Sequence, residues 1–300
     1  MSKIHSASKI LMIIACLAMV FALSAGVSAA FYPDNSATYL VGDASNYPTG
    51  SNLTITLNIQ SKLVNGNSLN ETFQVTLPQK STPYTVHDAI DVWQNGAGSD
   101  FTLTTTGYVN GVQTVLPFTS TSSYIYGITY DNITYEPSAI NAMDGWKFRV
   151  NTMLPQLASY GAGINDTYLK NGDVIDFYFD NSAGNTQAEA EATAARFTRI
   201  YDISISGDTA YVTIQQSHDW FINSPPWNSG ILNFTPYPST YVYLYDANNQ
   251  LINYSVTTSE GKTAFSGLTA GGAYTVKVMP TFKTGGFLKF TGCSRTFIAQ

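Results

Sequence analysis

The chain has 300 residues, 44% of them hydrophobic and 11% charged, and a net charge of −6 at neutral pH. This length is enough for two domains, and the acidic balance argues against nucleic acid as a partner. Tyr occurs 20 times, alongside many Thr, Asn and Gly residues, a composition that favours strands joined by turns.

Residues 1–29 have the layout of a secretory signal peptide. Lys3 and Lys9 precede the apolar run Ile10–Leu23, and small residues follow up to Ala29, as a signal-peptidase site requires. The alternative is an uncleaved membrane anchor, since an apolar stretch of about 20 residues can span a bilayer. We therefore expect an extracellular or cell-surface protein that contacts a membrane only through such an anchor.

Removal of the signal peptide changes the charge and the cysteine content. It leaves 12 basic and 20 acidic side chains, a net charge of −8. Cys16 leaves with the signal, so Cys293 remains without an intramolecular disulfide partner. We expect the fold to depend on its hydrophobic core, after an N-terminal extension over residues 30–50.

The first domain is predicted over residues 51–183 and begins with a β-hairpin. Apolar and polar residues alternate over 53–59 and again over 73–77, which is the pattern of two half-buried strands. Asn65-Gly66 between them indicates the loop.

A short helix is predicted over residues 86–94. Thr85 is a natural N-cap with Asp88 three residues later, and Asn95-Gly96 supplies the stop. His87 lies off the apolar face and is expected in solvent. Apolar side chains recur at the helical spacing, at Val86, Ala89, Ile90 and Trp93.

Further strand patterns complete this domain. Weaker ones lie around 101–105, 112–116 and 124–129, and a clear alternation returns over 146–150. One helix with several strands predicts an α+β layer. An Ala/Glu-rich run over residues 184–196 is too short to be a stable isolated helix and is predicted to be a linker.

The second domain, residues 197–300, is predicted to be an all-β sandwich, which makes the whole chain mainly β. Apolar alternation on either side of the turn at residues 206–208 indicates a hairpin. Four further short strands follow, with turn residues between them. They are expected at residues 241–245, 252–256, 264–265 and 274–278.

Residues 144–180 contain a Gly-Trp strand that ends in Val-Asn, followed by a Leu-Lys-x-Gly-Asp turn into another strand. The positions concerned are Gly145, Trp146, Val150, Asn151, Gly161, Tyr168, Leu169, Lys170, Gly172, Asp173 and Ile175. This pattern resembles the transcobalamin-like C-terminal domain family, with a similarity over about residues 51–181. Thr152 departs from it, because the family usually has Gly there, and the stretch between Phe101 and Ser123 is longer than in the family.

The resemblance implies a β-grasp-like domain of the kind found on many secreted proteins of unknown role. It gives structural roles to Gly145, Trp146, Val150, Asn151, Gly172 and Asp173. In the animal vitamin-B12 carriers this domain closes over the corrin ring opposite a large α-helical domain. The present sequence predicts no helical domain, so no cofactor is expected, and corrinoid binding stays an alternative.

A second pattern lies within residues 242–278. Its residues are Thr258, Gly261, Ala264, Phe265, Leu268, Gly271, Tyr274 and Val276. They resemble the prealbumin-like sandwich repeat shared by carboxypeptidase regulatory-like domains and collagen-adhesin B repeats. The resemblance covers about residues 231–300 and implies a stalk or spacer of a surface protein.

Three aspartates lie close together in the segment NGDVIDFYFDN, residues 171–181. Asp176 and Asp180 would lie about 13 Å apart along one strand face, at about 3.3 Å per residue, which is too far to share a metal ion. The segment is therefore interpreted as a turn at Gly172 and Asp173, followed by a strand whose acidic side chains face solvent.

Catalytic motifs are scarce. The sequence has no Gly-x-Ser-x-Gly elbow, no His-Glu-x-x-His motif and no paired cysteines in the mature chain, so neither an enzyme nor a metal site is predicted. Aromatic and proline residues are instead concentrated in segment 218–230. Trp220, Phe221 and Trp227 could stack on sugars or enter a partner's pocket, or they could fill the seam between the domains.

The sequence thus predicts a secreted, non-enzymatic surface protein that acts in adhesion, in envelope or filament assembly, or in module presentation. Its expected partners are an envelope protein, a glycan or further copies of itself. The alternative is an extracellular protein that binds a small ligand, a corrinoid or a glycan.

Overall fold

The protein is mainly β, as predicted, with one α-helix among the residues that the computed structural model describes. These are residues 38–40, 43–96, 98, 100–138, 144–151, 154–156, 163–180, 195–217 and 234–300. Besides the strands there is a 3-10 turn at Ala44–Asn46 and the helix α1 at Val86–Gln94. The strands are β1 (Thr38–Leu40), β2 (Leu53–Gln60), β3 (Asn70–Leu77), β4 (Phe101–Val109), β5 (Val112–Pro117), β6 (Gly127–Tyr130), β7 (Ile133–Tyr135), β8 (Gly145–Val150), β9 (Leu154–Gln156), β10 (Val174–Asp180), β11 (Thr198–Ser206), β12 (Thr209–Ser217), β13 (Phe234–Pro236), β14 (Tyr241–Asp246), β15 (Leu251–Val256), β16 (Lys262–Phe265), β17 (Ala273–Val278), β18 (Thr281–Phe282), β19 (Leu288–Phe290) and β20 (Cys293–Ile298).

The first sheet has the strand order β3-β2-β10-β8. β2 and β3 form the predicted antiparallel hairpin, and Asn65 and Gly66 in its loop both have positive φ. β10 lies in the middle, parallel to β2 and antiparallel to β8. A late strand of this domain thus lies in the middle of the sheet, parallel to the first strand of the hairpin.

Helix α1 forms where the sequence predicts it. Thr85 Oγ1 accepts a hydrogen bond from Asp88 N, and the Asp88 carboxylate accepts one from Thr85 N, which completes a capping box. Trp93 contacts Phe73 of β3 and Phe101 of β4, with ring centroids 5.4 and 4.9 Å apart. The helix therefore packs against two sheets rather than one.

The second sheet covers residues 101–135 and has the order β5-β4-β6-β7. It contains the three weaker predicted strands and one more, β7, although β6 begins at Gly127 rather than at 124. Phe101, Leu103 and Ile128 belong to the same buried core as the first sheet and the helix. Each large apolar side chain that is fully buried contributes about 1.5–3 kcal/mol, so this sheet is an integral part of the first half of the fold.

The C-terminal strands form the third and fourth sheets, which face each other. The third has the order β11-β12-β13, with β16 also paired to β12, and the fourth has the order β15-β14-β17-β20. All pairings within them are antiparallel, as a sandwich requires. Their shared core consists of Ile200, Ala210, Val212, Ile214, Val242, Leu244, Phe265, Leu268, Tyr274, Val276, Val278 and Ala299.

His87 is buried, so its predicted exposure is wrong. Its ring stacks on Phe118 with centroids 5.3 Å apart, and its Nε2 lies 3.2 Å from the carbonyl oxygen of Thr119. The segment that follows β5 covers this side of α1. Helical periodicity shows which face of a helix is apolar, but it cannot show that a distant segment covers another face.

The acidic face of β10 is also buried, which corrects the predicted solvent exposure. Asp176 is 2% exposed and Asp180 is 4% exposed, because the C-terminal half of the chain packs over them. At this seam the Gln60 amide donates to the carbonyl of Gly292 (3.1 Å) and accepts from its N–H (2.8 Å). The two halves are thus joined by a buried and partly polar contact.

Candidate functional site

Asn151 and Asp173 connect the end of β8 to the turn before β10. Asn151 Nδ2 donates to Asp173 Oδ1 (2.8 Å), and Asn151 Oδ1 accepts from Val174 N (2.9 Å). The second Asp173 oxygen accepts from Lys170 N (2.7 Å), and Gly172 has a φ of +83° in this turn. Burial raises the pKa of Asp173, and its hydrogen bonds oppose that shift. These hydrogen bonds hold the turn at Gly172 and Asp173 against the end of β8.

Gly145, Trp146 and Val150, the other three residues to which the resemblance gives structural roles, lie on β8. Trp146 Nε1 donates to the carbonyl of Tyr135 (2.9 Å), and its ring meets Phe179 edge-on at 5.6 Å. Val150 is fully buried in the core, and Gly145 begins the strand. Trp146 links the first sheet to the last strand of the second, which again is a packing role.

A row of polar side chains crosses the seam-facing side of the first sheet. Thr72 Oγ1 donates to Asn58 Oδ1 (2.9 Å), and Asn58 Nδ2 donates to Asp176 Oδ1 (2.7 Å). Arg149 Nη2 lies 3.4 Å from Asp176 Oδ2 and donates to Thr291 Oγ1 (3.1 Å). The row runs from β3 to β8 and ends on the C-terminal half of the chain.

This polar row is a structural connection. The guanidinium carbon of Arg149 lies 3.5 Å from the ring centroid of Phe197, on which it stacks. Burial raises the pKa of Asp176, while Arg149 and Asn58 lower it in part. Both Asp176 oxygens already have protein partners, and the carboxylate holds Arg149 where this side chain contacts Thr291 of the C-terminal half.

The three aspartates of the segment 171–181 serve three different contacts. Asp173 holds the turn, Asp176 belongs to the polar row, and Asp180 forms an ion pair with Lys147 (2.8 Å). Among the described residues, no group of three or more His, Cys, Asp and Glu side chains is placed to hold a metal ion.

Several predicted features lie outside the described residues. They include the aromatic loop with Trp220, Phe221 and Trp227, the signal segment 1–29 and most of the linker. In the part of the chain that is described, no helix combines the length and the apolar character needed to cross a membrane.

A row of exposed and half-buried apolar and aromatic side chains lies on the outer face of the fourth sheet, and we call it the tyrosine ladder. Tyr254 is 59% exposed and Tyr241 is 53% exposed. A sheet with one face in a core usually has a polar outer face, and an exposed apolar patch marks a site of interaction. The ladder consists of three cross-strand pairs, Tyr241 with Val256, Tyr243 with Tyr254, and Tyr245 with Leu251.

Three tyrosine rings of the ladder form a cluster in which each ring lies near the other two. The centroids of Tyr241, Tyr243 and Tyr254 are 6.0 to 6.4 Å apart, with interplanar angles of 26° to 49°. Val242 and Leu244 alternate with these tyrosines on β14 and are buried in the core. A buried backing of this kind holds the exposed rings on a rigid support.

The border of the ladder carries a positive charge. Lys277 Nζ lies 4.7 Å from the ring centroid of Tyr245 and donates to Asn249 Oδ1 (2.9 Å). Burial lowers the pKa of Lys277, and the attraction of Glu71 opposes this shift. The six ladder residues themselves are uncharged, so the surface offers aromatic area and hydroxyl groups with a cation at its edge.

Comparison with protein-family models finds no match, and comparison with curated proteins finds none at a significant level of similarity. The site is therefore described by its own geometry.

Sequence reasoning predicted β14 and β15 but not the ladder. The signal was present, because Tyr241, Tyr243 and Tyr245 alternate with Val242 and Leu244, so that both faces of β14 are aromatic or apolar. Such a strand is either covered on both faces or exposed at a contact surface. Only the burial of each face decides between these two readings.

Proposed function

We propose that the protein is a non-enzymatic, extracellular surface protein that binds an envelope partner through the tyrosine ladder. The observation that carries this proposal is the set of three cross-strand pairs on the outer face of the fourth sheet, in which Tyr241, Leu251, Tyr254 and Val256 are exposed and Tyr243 and Tyr245 are half-buried. Its physiological work would be adhesion or assembly of an envelope layer.

The chemistry of the ladder supports a binding role. Tyr is enriched among the residues that dominate binding energy, because it supplies a large and rigid contact area at a small entropic cost. Its ring is apolar and its hydroxyl group is polar, so the same surface suits an envelope protein or the face of a sugar. The absence of charge on the six ladder residues favours an uncharged partner surface.

The rest of the fold supports a presenting role. The first half of the chain is fixed to the sandwich through Arg149 of the polar row and through Gln60, and both of these side chains are buried. A rigid two-part body of this kind would hold the ladder in a constant orientation relative to the first sheet.

The test is the binding of purified protein to envelope material from the source cells. The protein starts at residue 30, after the predicted signal segment, and co-sedimentation is measured over a range of concentrations. The double variant Tyr241→Ser with Tyr254→Ser should bind at least about tenfold more weakly, since each interface tyrosine contributes about 1 kcal/mol or more.

The matched control is the double variant Tyr201→Ser with Tyr211→Ser on the third sheet. These two tyrosines are 49% and 51% exposed, so the control removes a similar exposed aromatic area elsewhere on the sandwich. Equal losses in both double variants, or no saturable binding by the unchanged protein, would contradict the proposed function.

A further inference from the structure

We infer that a second copy of this chain binds along the β15 edge of the tyrosine ladder, by antiparallel pairing of the two β15 strands. The inference rests on the proposed function, because it names a partner for the same surface. It would turn the four-stranded fourth sheet into a continuous eight-stranded sheet across the dimer.

β15 is an edge strand of the fourth sheet. Within the described chain it pairs with β14 on one side, and no strand pairs with its other side. Beyond its end, Thr257 N donates to the carbonyl of Thr240. In antiparallel strands, the N–H and C=O groups of successive residues point alternately to the two sides of the strand. Because those of Thr257 point towards β14, those of Tyr254 and Val256 point outward, away from the sheet. Such a row of outward groups is a template for pairing with another strand.

The side chains of this edge do not oppose pairing. Natural edge strands are commonly protected by Lys, other charges or Pro, and the sequence Leu251–Val256 contains none of these. Four of its six side chains are exposed and apolar, and they are Leu251, Ile252, Tyr254 and Val256.

Two local features of this edge weaken pairing with another strand and limit the length over which it can occur. A register shift at Ile252 bends the strand, and Asn253 Oδ1 accepts the hydrogen bond of Tyr254 N (2.8 Å). Pairing therefore centres on residues 254–256 and requires the Asn253 side chain to release this N–H. A contact through one short strand of each copy is a small interface, and interfaces below about 1,200 Å² are weak. We therefore expect self-association in the micromolar range.

The distribution of charge favours β15 over other surfaces for a contact between two copies of the chain. The chain carries a net charge of −6, which repels identical copies in most orientations. A two-fold contact also requires a patch that is complementary to itself, and an uncharged strand meets its own copy without like-charge repulsion. In the register centred on Ser255, Tyr254 lies opposite Val256 of the second copy, an aromatic and β-branched pair that stabilises antiparallel sheets.

Sedimentation equilibrium tests the inference, with protein that starts at residue 30 and with a reducing agent present to keep Cys293 from forming a disulfide. Over about two orders of magnitude in micromolar concentration, the mass should rise from monomer towards dimer. Tyr254→Lys, which places a charge on the edge, should weaken dimerisation at least about tenfold. Tyr211→Lys on β12, at a site of similar exposure, should dimerise like the unchanged protein.

Amide hydrogen exchange gives a second measurement that does not need a variant. The N–H groups of Tyr254 and Val256 should exchange more slowly as the concentration rises. A monomer at all concentrations, or a dimer that Tyr254→Lys leaves intact, would overturn the inference. A monomer that still binds envelope material through the ladder would overturn the inference alone, whereas loss of envelope binding with an intact dimer would overturn the proposed envelope partner.

Discussion

Arg149 is a charged residue that the fold buries completely. It is fully buried between Asp176, Thr291 and the ring of Phe197. Burying an ion pair has a large desolvation cost, so such a pair adds little net stability over apolar residues of the same shape. Removal of one partner, however, leaves the other charge buried without compensation.

Arg149→Met should therefore destabilise the protein by about 3–5 kcal/mol. The double variant Arg149→Met with Asp176→Leu should recover most of this loss, because no uncompensated charge then remains. Urea unfolding curves measure both effects. If the double variant were as unstable as the sum of its two single variants, the charge pairing would not explain the burial of Arg149.

Asp88 gives the stability a defined dependence on pH. Burial raises its pKa, but hydrogen bonds from Lys80 and Thr85 outweigh burial, so that the net shift is downward. A lowered pKa in the folded state stabilises the fold above the unfolded pKa, near 3.8. This contribution is lost as the pH falls through the folded pKa.

Asp88→Asn should accordingly cost about 1 kcal/mol near neutral pH, as the loss of a cap does. The difference from the unchanged protein should shrink below about pH 4. Asp91→Asn, on the same helix but outside the capping box, controls for the loss of one negative charge. A difference that stays constant between pH 7 and pH 3 would contradict this role of Asp88.

At the scale of elements, the turn before β16 shows how one position fixes the path between two sheets. Gly261 has a φ of +70°, and a Cβ there would touch the carbonyl oxygen of Ile214 and lie 2.9 Å from Tyr237 N. Gly271 has a similar φ of +75°, but no atom lies within 4 Å of the position of its Cβ. The two glycines share a backbone conformation and differ in the available space.

Gly271→Ala should cost about 1–2 kcal/mol, which is the cost of the left-handed conformation alone. Gly261→Ala should cost more, because the backbone of β12 and of the segment after β13 must also move. Thermal and urea unfolding of the two variants measures the difference. Equal losses would show that the close approach at Gly261 is relieved without cost.

The elements that could be predicted from the sequence are those with local causes. The β2–β3 hairpin follows from alternation around Asn65-Gly66, and α1 follows from its apolar spacing and from Thr85 and Asp88. β7 was missed because a three-residue strand is too short to show a period. Local patterns of this kind determine where an element forms but not what covers it.

The errors in predicted exposure concern faces that are covered by distant parts of the chain. His87 is covered by the segment after β5, and Asp176 is covered by the C-terminal half. A polar strand face is the same in sequence whether it meets water or a hydrogen-bonded partner 142 residues away, such as Thr291 for Arg149. For the same reason the tyrosine ladder could not be distinguished in sequence from a buried face.

At the scale of the whole molecule, two β bodies are joined by a buried seam. Tyr178 of β10 packs edge-on against Phe197 at 5.5 Å, and both lie in a small core that also contains Leu288. The seam uses one face of the first sheet, and the tyrosine ladder uses the outer face of the fourth. The seam thus stabilises the fold, and the tyrosine ladder is the surface that we propose for binding.

Residue-level footprinting of the tyrosines tests the binding role of the ladder most directly. Protein free in solution and protein bound to envelope material are treated with a tyrosine-modifying reagent, and modification is measured for each residue by mass spectrometry. The account predicts that Tyr241 and Tyr254 become protected on binding, while Tyr201 and Tyr211 on the third sheet stay reactive. Unchanged modification of Tyr241 and Tyr254 in the bound protein would contradict it.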